Sequence, residues 1–244
     1  MSFLNYFLEL ENLKMKKSFH IIYFLLLTSF TLFGQNESDS LSLKINTKWS
    51  GKNLNLNTTY ISKQKDTLKI TQFKFYISDF QITYDDNTIL SDKKSHLIDF
   101  EKPNTTLFAI TKNYKKKIKS INFSIGVDSL NSVSGALSGD LDPSNGMYWA
   151  WQSGYINMKI EGTSSSCKTR KNGFNFHVGG YLNPYYAMRQ IEIPINKLQN
   201  QINLTVDLER FFSEINLKEM NSVMIPGNDA MELANLSSKM FYIE

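Results

Sequence analysis

The sequence predicts an all-β fold, an antiparallel β-sandwich or partly closed barrel with one short C-terminal helix. Three observations lead there. From Leu41 onward, apolar and polar residues alternate with period two almost throughout, the pattern of strands with one face in a core and the other in water. The links between these stretches are rich in Asp, Asn, Gly, Pro and Ser, residues that turn a chain. Only two stretches have helical spacing: a short one after Asp207 (LERFFSEI), and Asp229 to Met240, where Ala230, Leu233 and Ala234 share a side and Pro226 and Gly227 precede the start.

Residues 1–34 stand apart from this pattern. Lys14, Lys16 and Lys17 precede an apolar run from Phe19 to Phe33, which closes at Gly34. A basic n-region, an apolar h-region and a small-residue exit describe a secretory signal peptide, with cleavage expected near Gly34. Met15, directly before the basic pair, offers an alternative start. The apolar run is shorter than the about 20 residues that span a bilayer, and no cysteine follows it to carry a lipid. Residues 35–244 are therefore expected as a single domain in the periplasm, at the cell surface or secreted, with no membrane contact after cleavage.

Composition narrows the function classes. Residues 1–34 hold three of the 27 basic and two of the 23 acidic side chains, leaving 24 against 21, a net charge of +3. That is too mild to recruit nucleic acid or an acidic membrane. The single Cys167 rules out an internal disulfide framework. It sits in the polar stretch GTSSSCKTRKNG and is expected as an unactivated, exposed loop thiol.

Along the chain, Leu41, Leu43 and Ile45 alternate with polar residues, and Phe73, Phe75 and Ile77 lead a strand to Ile82. YDDNT (84–88) returns that strand as a hairpin. In HLIDF, His96, Ile98 and Phe100 share a face, and Pro103 and Asn104 end the strand. Ile121, Phe123, Ile125 and Val127 give the clearest alternation. Ile191, Ile193 and Ile195 are followed by Ile202, Leu204, Val206 and Leu208, with residues 196–201 expected as a hairpin connection.

The densest stretch is GMYWAWQSGY (146–155), with two of the three tryptophans. If it is extended, Met147, Trp149 and Trp151 form one row of soft, polarizable groups on one face. The apolar parity then changes, since Ile156, Met158 and Ile160 are even-numbered. A bulge near Ser153 and Gly154, or a strand buried on both faces, would account for the change.

After signal removal only His96 and His177 remain, 81 residues apart, and only the fold can bring them together. Each alone reads as a hydrogen-bonded structural residue. Together with the Met147/Trp149/Trp151 row they would form a small soft site, since imidazole suits copper and thioether favours Cu(I). There is no Gly-rich phosphate loop, HExxH, CxxC or GxSxG, and no nucleophile and base pair is legible, so no catalysis is expected. Asp140 and Asp142 with Asn145 and Gly146 loosely match a calcium loop but lack its length and downstream Glu; a polar turn is expected there, with a surface calcium as the alternative.

Several segments in order, FYISDFQI, HLIDF, INFSIGVD, GMYWAWQSGY, FNFHVGGY and VMIPGNDAMELANLSSKMF, resemble the MbnP-like family of secreted bacterial proteins from about Leu41 to the C-terminus. The resemblance implies a β-rich periplasmic or surface protein that binds copper. It implies Cu(I) held by histidines together with a tryptophan oxidised to kynurenine, and a di-haem peroxidase-like partner for that oxidation. Trp149 and Trp151 are then candidates for the modified residue, and His177 and His96 for the imidazoles. The tryptophan motif itself carries no histidine. The expected function is copper acquisition or buffering. The alternative is a non-metal binding or interaction module using the aromatic row, since Trp and Tyr dominate binding hot spots.

Overall fold

The computed structural model describes Glu11 and residues 40–112, 115–152 and 154–244. The expected signal peptide and the alternative start at Met15 lie, apart from Glu11, outside the described residues. Asp39–Glu244 forms one compact unit.

Strand β1 (Ser40–Trp49) is followed by the short β2 (Lys52–Asn53) and β3 (Thr59–Ile61), then by the 18-residue β4 (Thr67–Tyr84). Next come β5 (Ile89–Asp92), β6 (His96–Asp99), β7 (Leu107–Lys112) and β8 (Ile118–Ile125). Helix α1 (Ser129–Val133), β9 (Tyr148–Trp149) and β10 (Gly154–Ser164) form the middle of the chain. Then follow β11 (Gly173–Gly179), β12 (Tyr181–Leu182), β13 (Tyr185–Tyr186), β14 (Arg189–Lys197) and β15 (Gln201–Asp207). Helix α2 (Leu208–Phe212), β16 (Ser222–Val223), helix α3 (Asn228–Ser238) and β17 (Phe241–Ile243) complete it.

Two curled sheets face each other, as the alternation predicts. The smaller has the order β17-β15-β1, with β2 and β7 both on the far edge of β1. The larger is built on β4. Residues 68–75 of β4 pair with β10, and residues 77–84 pair with β8. Because β6 pairs with Lys74 to Ile77 on the other edge, β8 and β10 abut end to end along a single edge of β4. Asn157 closes that junction: its Oδ1 accepts from Val127 N at 3.1 Å, and its amide packs against Gly126, where φ is +116° and a Cβ would lie 2.4 Å from Asn157 Cγ. Glycine is required there on both counts.

The core between the sheets is aliphatic and aromatic. Leu41, Leu43 and Ile45 of β1 and Ile202, Leu204 and Val206 of β15 meet Phe73, Phe75, Ile77, Ile121, Phe123, Phe174 and Phe176. Phe241 stands edge-on to both Phe75 and Phe123, at 5.5 and 5.4 Å. Each such ring contributes about 1.5–3 kcal/mol by leaving water, which is why the alternating pattern sets the register.

Two expectations change. Residues 196–201 do not make a hairpin: β14 pairs with β8 in the larger sheet, whereas β15 crosses to the smaller one and runs parallel to β1. Alternation reports that two strands exist, not that they pair. Cys167 is buried, not exposed; its Sγ lies 3.6 Å from Leu217 O, and burial pushes the thiol pKa up. The turn after β10 folds it into the core although its neighbours are polar. Of the helices, α2 and α3 match the expected stretches, with Asp207 capping α2 by accepting from Glu209 N. The short α1, capped by Asp128, lacks enough turns to show a period.

Candidate functional site

The tryptophan stretch is a tight hairpin and not one extended row. Trp149 pairs with Gly154 and Tyr148 with Tyr155, so the chain reverses between Trp149 and Gly154. Met147 and Trp149 are buried, Trp149 at 6%, while Trp151 sits at the tip and is 64% exposed. The two indoles remain close, with ring centroids 5.8 Å apart. The face switch expected near Ser153 and Gly154 falls three residues later. Register against β11 slips between Ile156 and Met158; Ile156 packs with Met147, Trp149, Tyr76, Leu97, Val127 and Tyr155 in a small outer cluster, whereas Met158 joins the main core. Asn157 is the extra residue, and residues 154–158 are buried on both faces.

That outer cluster sits under the segment linking β8 to β10, on the side of the larger sheet away from the main core. Tyrosines hold the segment down. Tyr155 Oη accepts from Leu137 N and donates to the Leu141 carbonyl, and Tyr76 Oη donates to the Asp140 carbonyl at 3.0 Å. Burial pushes both phenol pKa values up.

Beside this cluster runs a charged row. Residues directly paired across strands share a sheet face, and Lys159 is paired with both Lys74 and His177, while Lys74 is also paired with Asp99. Asp99, Lys74, Lys159 and His177 thus line one face across β6, β4, β10 and β11. Lys74 Nζ lies 3.0 Å from Asp99 Oδ2, off the line of a hydrogen bond. His177 Nε2 is 2.7 Å from Glu161 Oε1. With the imidazole neutral, a carboxylate acceptor there places the proton on Nε2 and the lone pair on Nδ1. That bond is the main reason the Glu161 carboxyl lies below its ordinary value. Burial in turn lowers Lys159, whose Nζ donates to the Gly146 carbonyl at 2.6 Å and so ties the start of the tryptophan hairpin to the row.

Gly179, two residues beyond His177 on the same face of β11, joins hairpin and histidine. A Cβ there would lie 2.7 Å from Trp149 Cζ3 and 2.8 Å from the Tyr155 carbonyl, so the Trp149 ring rests directly on the glycine backbone. The fold therefore sets Trp149 on the strand that carries His177, with Trp151 beside Trp149 and Met147 in the same buried cluster as Trp149.

His96 is not brought to them. It pairs with Ile77, three residues from Lys74 along an unbulged run of β4, and so projects from the opposite face. There it stacks on Phe108 at 4.6 Å, with Nε2 2.8 Å from Asp92 Oδ2 and Nδ1 4.0 Å from Asp140 Oδ2. The candidate calcium residues serve the turn: Asp140 Oδ2 accepts from Leu97 N, Asp142 Oδ1 accepts from Ser144 N, and the Asn145 amide donates to the Gly139 carbonyl. Among the described residues, no group of three or more His, Cys, Asp or Glu side chains is arranged to hold a metal ion. Sequence reasoning missed Glu161 and Lys159. Pairing β10 with β11 as a hairpin would have placed both beside His177.

Comparison with known proteins agrees with this architecture. A family model described as MbnP matches residues 38–225. The chain belongs to the MbnP family. Among solved structures, MbnP from Methylosinus trichosporium is similar, with a TM-score of 0.57 and 14% identity over 78% of this chain and 83% of that one, a likeness that shows the fold alone. Comparison with curated proteins gives no match. Among the described residues of this MbnP-family chain, no helix is long and apolar enough to cross a membrane.

Proposed function

We propose that the protein is an extracytoplasmic copper-binding protein that acquires or buffers Cu(I), with its site on the outer face of the larger sheet about His177 and the tryptophan hairpin. One observation carries this reading: Trp149 rests on Gly179, two residues from His177, whose Nε2 is 2.7 Å from Glu161 Oε1. The available donors are one imidazole nitrogen, two indole faces and a buried thioether. Such a soft set fits Cu(I) better than a hard cation. His96, on the other face, lies outside this site. Oxidation of a tryptophan by a di-haem peroxidase-like partner belongs to the same reading, with exposed Trp151 the indole such a partner meets first.

The test is Cu(I) competition against a chromophoric chelator. His177→Ala is expected to weaken binding at least tenfold and His96→Ala to leave it unchanged; equally weak binding by all three proteins would sink the proposal. Intact-mass analysis of the tryptophan peptide, with absorbance of kynurenine, tests the modification separately.

A second reading, a non-metal interaction module, is supported by the exposure of Trp151 together with Leu182, Tyr185 and Tyr186. Under it, Trp151→Ser abolishes partner binding while Cu(I) competition shows no site in either protein.

A further inference from the structure

We propose that Glu161 is a positioning residue for His177, holding the imidazole in the Nε2–H tautomer so that Nδ1 is the nitrogen offered to a soft cation. The proposal rests on the reading of His177 as a copper ligand and goes beyond it. Glu161 lies outside both the tryptophan and the histidine motifs, GMYWAWQSGY and FNFHVGGY.

Three features carry it. The bond from His177 Nε2 to Glu161 Oε1 is 2.7 Å, the length of a charge-assisted hydrogen bond. Glu161 stands on β10 and His177 on β11, one register step off the direct Lys159 and His177 pair, so the strands themselves fix the approach. Lys159 Nζ, a cationic group that favours the ionised carboxylate, lies 3.9 Å from the same Glu161 Oε1 while donating to the Gly146 carbonyl. A ligating histidine generally donates its other N–H to a carboxylate or carbonyl, and loss of that partner typically costs about 10–100-fold in metal affinity. The described residues provide that arrangement at His177 alone: His96 has one carboxylate 2.8 Å from Nε2 and a second 4.0 Å from Nδ1, leaving neither nitrogen clear.

The test has two arms. Long-range proton–nitrogen correlation spectra of the ¹⁵N-labelled, metal-free protein at neutral pH report which ring nitrogen carries the proton. The wild type is expected as Nε2–H at His177, Glu161→Leu as a mixture of tautomers, and Glu161→Gln, whose amide oxygen can still accept, as Nε2–H again. Cu(I) competition then follows: Glu161→Leu is expected to weaken binding about tenfold or more, with recovery in Glu161→Gln. An Nδ1–H wild type overturns the proposal, as does a Glu161→Leu protein that binds Cu(I) as tightly as the wild type. If Glu161→Leu fails to fold, the wild-type tautomer and the Glu161→Gln affinity still decide. Failure of copper binding in a wild type that is Nε2–H overturns the metal reading and leaves the tautomer assignment standing, so the two failures are distinct.

Discussion

His96 and His177 each hold a carboxylate through Nε2, at 2.8 Å to Asp92 and 2.7 Å to Glu161, yet they project from opposite faces of the same sheet. At the His96 corner the ring stacks on Phe108 and Asp140 stands off Nδ1, so both nitrogens face acceptors. A cavity of about 470 Å³, lined by Lys93, Lys94, His96, Asn131 and Asp140 among others, opens beside it. At the His177 corner, among the described residues, no such carboxylate stands by Nδ1, and the strand continues into the glycine that carries Trp149. The same kind of bond thus stands in two settings: one imidazole is stacked on Phe108 between two carboxylates, and the other lies two residues from the glycine on which Trp149 rests. Carboxylate pairing alone does not tell the two histidines apart; the surroundings of the second nitrogen do.

The comparison breaks most readily at Trp149. Trp149→Ala removes the largest side chain of the outer cluster, and truncation of a buried Trp costs about 3–5 kcal/mol. Phe108→Ala at the other corner should cost clearly less, because Phe108 is only partly buried against the core. Urea unfolding of both variants measures the difference; equal losses would mean the outer cluster is no more than surface packing. Next in size is Gly179→Val. Its added carbons meet the Trp149 ring and the Tyr155 carbonyl at under 3 Å, an overpacking that costs about 1–3 kcal/mol. Tryptophan emission should shift to longer wavelength as Trp149 is displaced, while the His96 ring resonances, on the opposite face, stay where they are. Smaller again is Tyr155→Phe, which leaves Leu137 N without its acceptor and should cost about 1–2 kcal/mol.

The strands were legible in the sequence because a half-buried strand must alternate, and Phe73, Phe75 and Ile77 or Ile121, Phe123 and Ile125 do so without interruption. Partners were not. The stretches ending at Ile195 and starting at Ile202 look like a hairpin, yet they belong to different sheets, because alternation encodes burial and carries no record of which edge meets which. The tryptophan stretch misled for a related reason. Trp149 and Trp151 share a parity only in an extended chain, and the reversal between Trp149 and Gly154 cancels it. The residues of the candidate site were half legible. His177 and Trp149 stand out by rarity, but Glu161 and Lys159 look like any polar residues on the wet side of a strand until cross-strand register places them beside the imidazole.

Acid stability gives the finest separation of the two corners. Glu161 sits below its ordinary value chiefly through the His177 bond. Asp92 does so because the Lys94 N–H and His96 bonds outweigh burial, which pushes it up. A carboxylate whose folded pKa is depressed contributes stability that is fully present above its unfolded value, about 4.3 for Glu and 3.9 for Asp, and that is lost as pH falls through the folded value. Both groups are partly exposed, so each contribution is of the order of the about 0.2–1 kcal/mol seen for solvent-screened ion pairs. Urea unfolding at about pH 7 and about pH 3, on either side of those values, should therefore show Glu161→Gln and Asp92→Asn each less stable than wild type at the higher pH, with the gap closing at the lower. The double variant should lose the sum of the two, since sites on opposite faces with no shared partner add. A coupling between them larger than about 0.5 kcal/mol would mean that the two imidazoles report on each other through β4, and the two corners would then have to be treated as one.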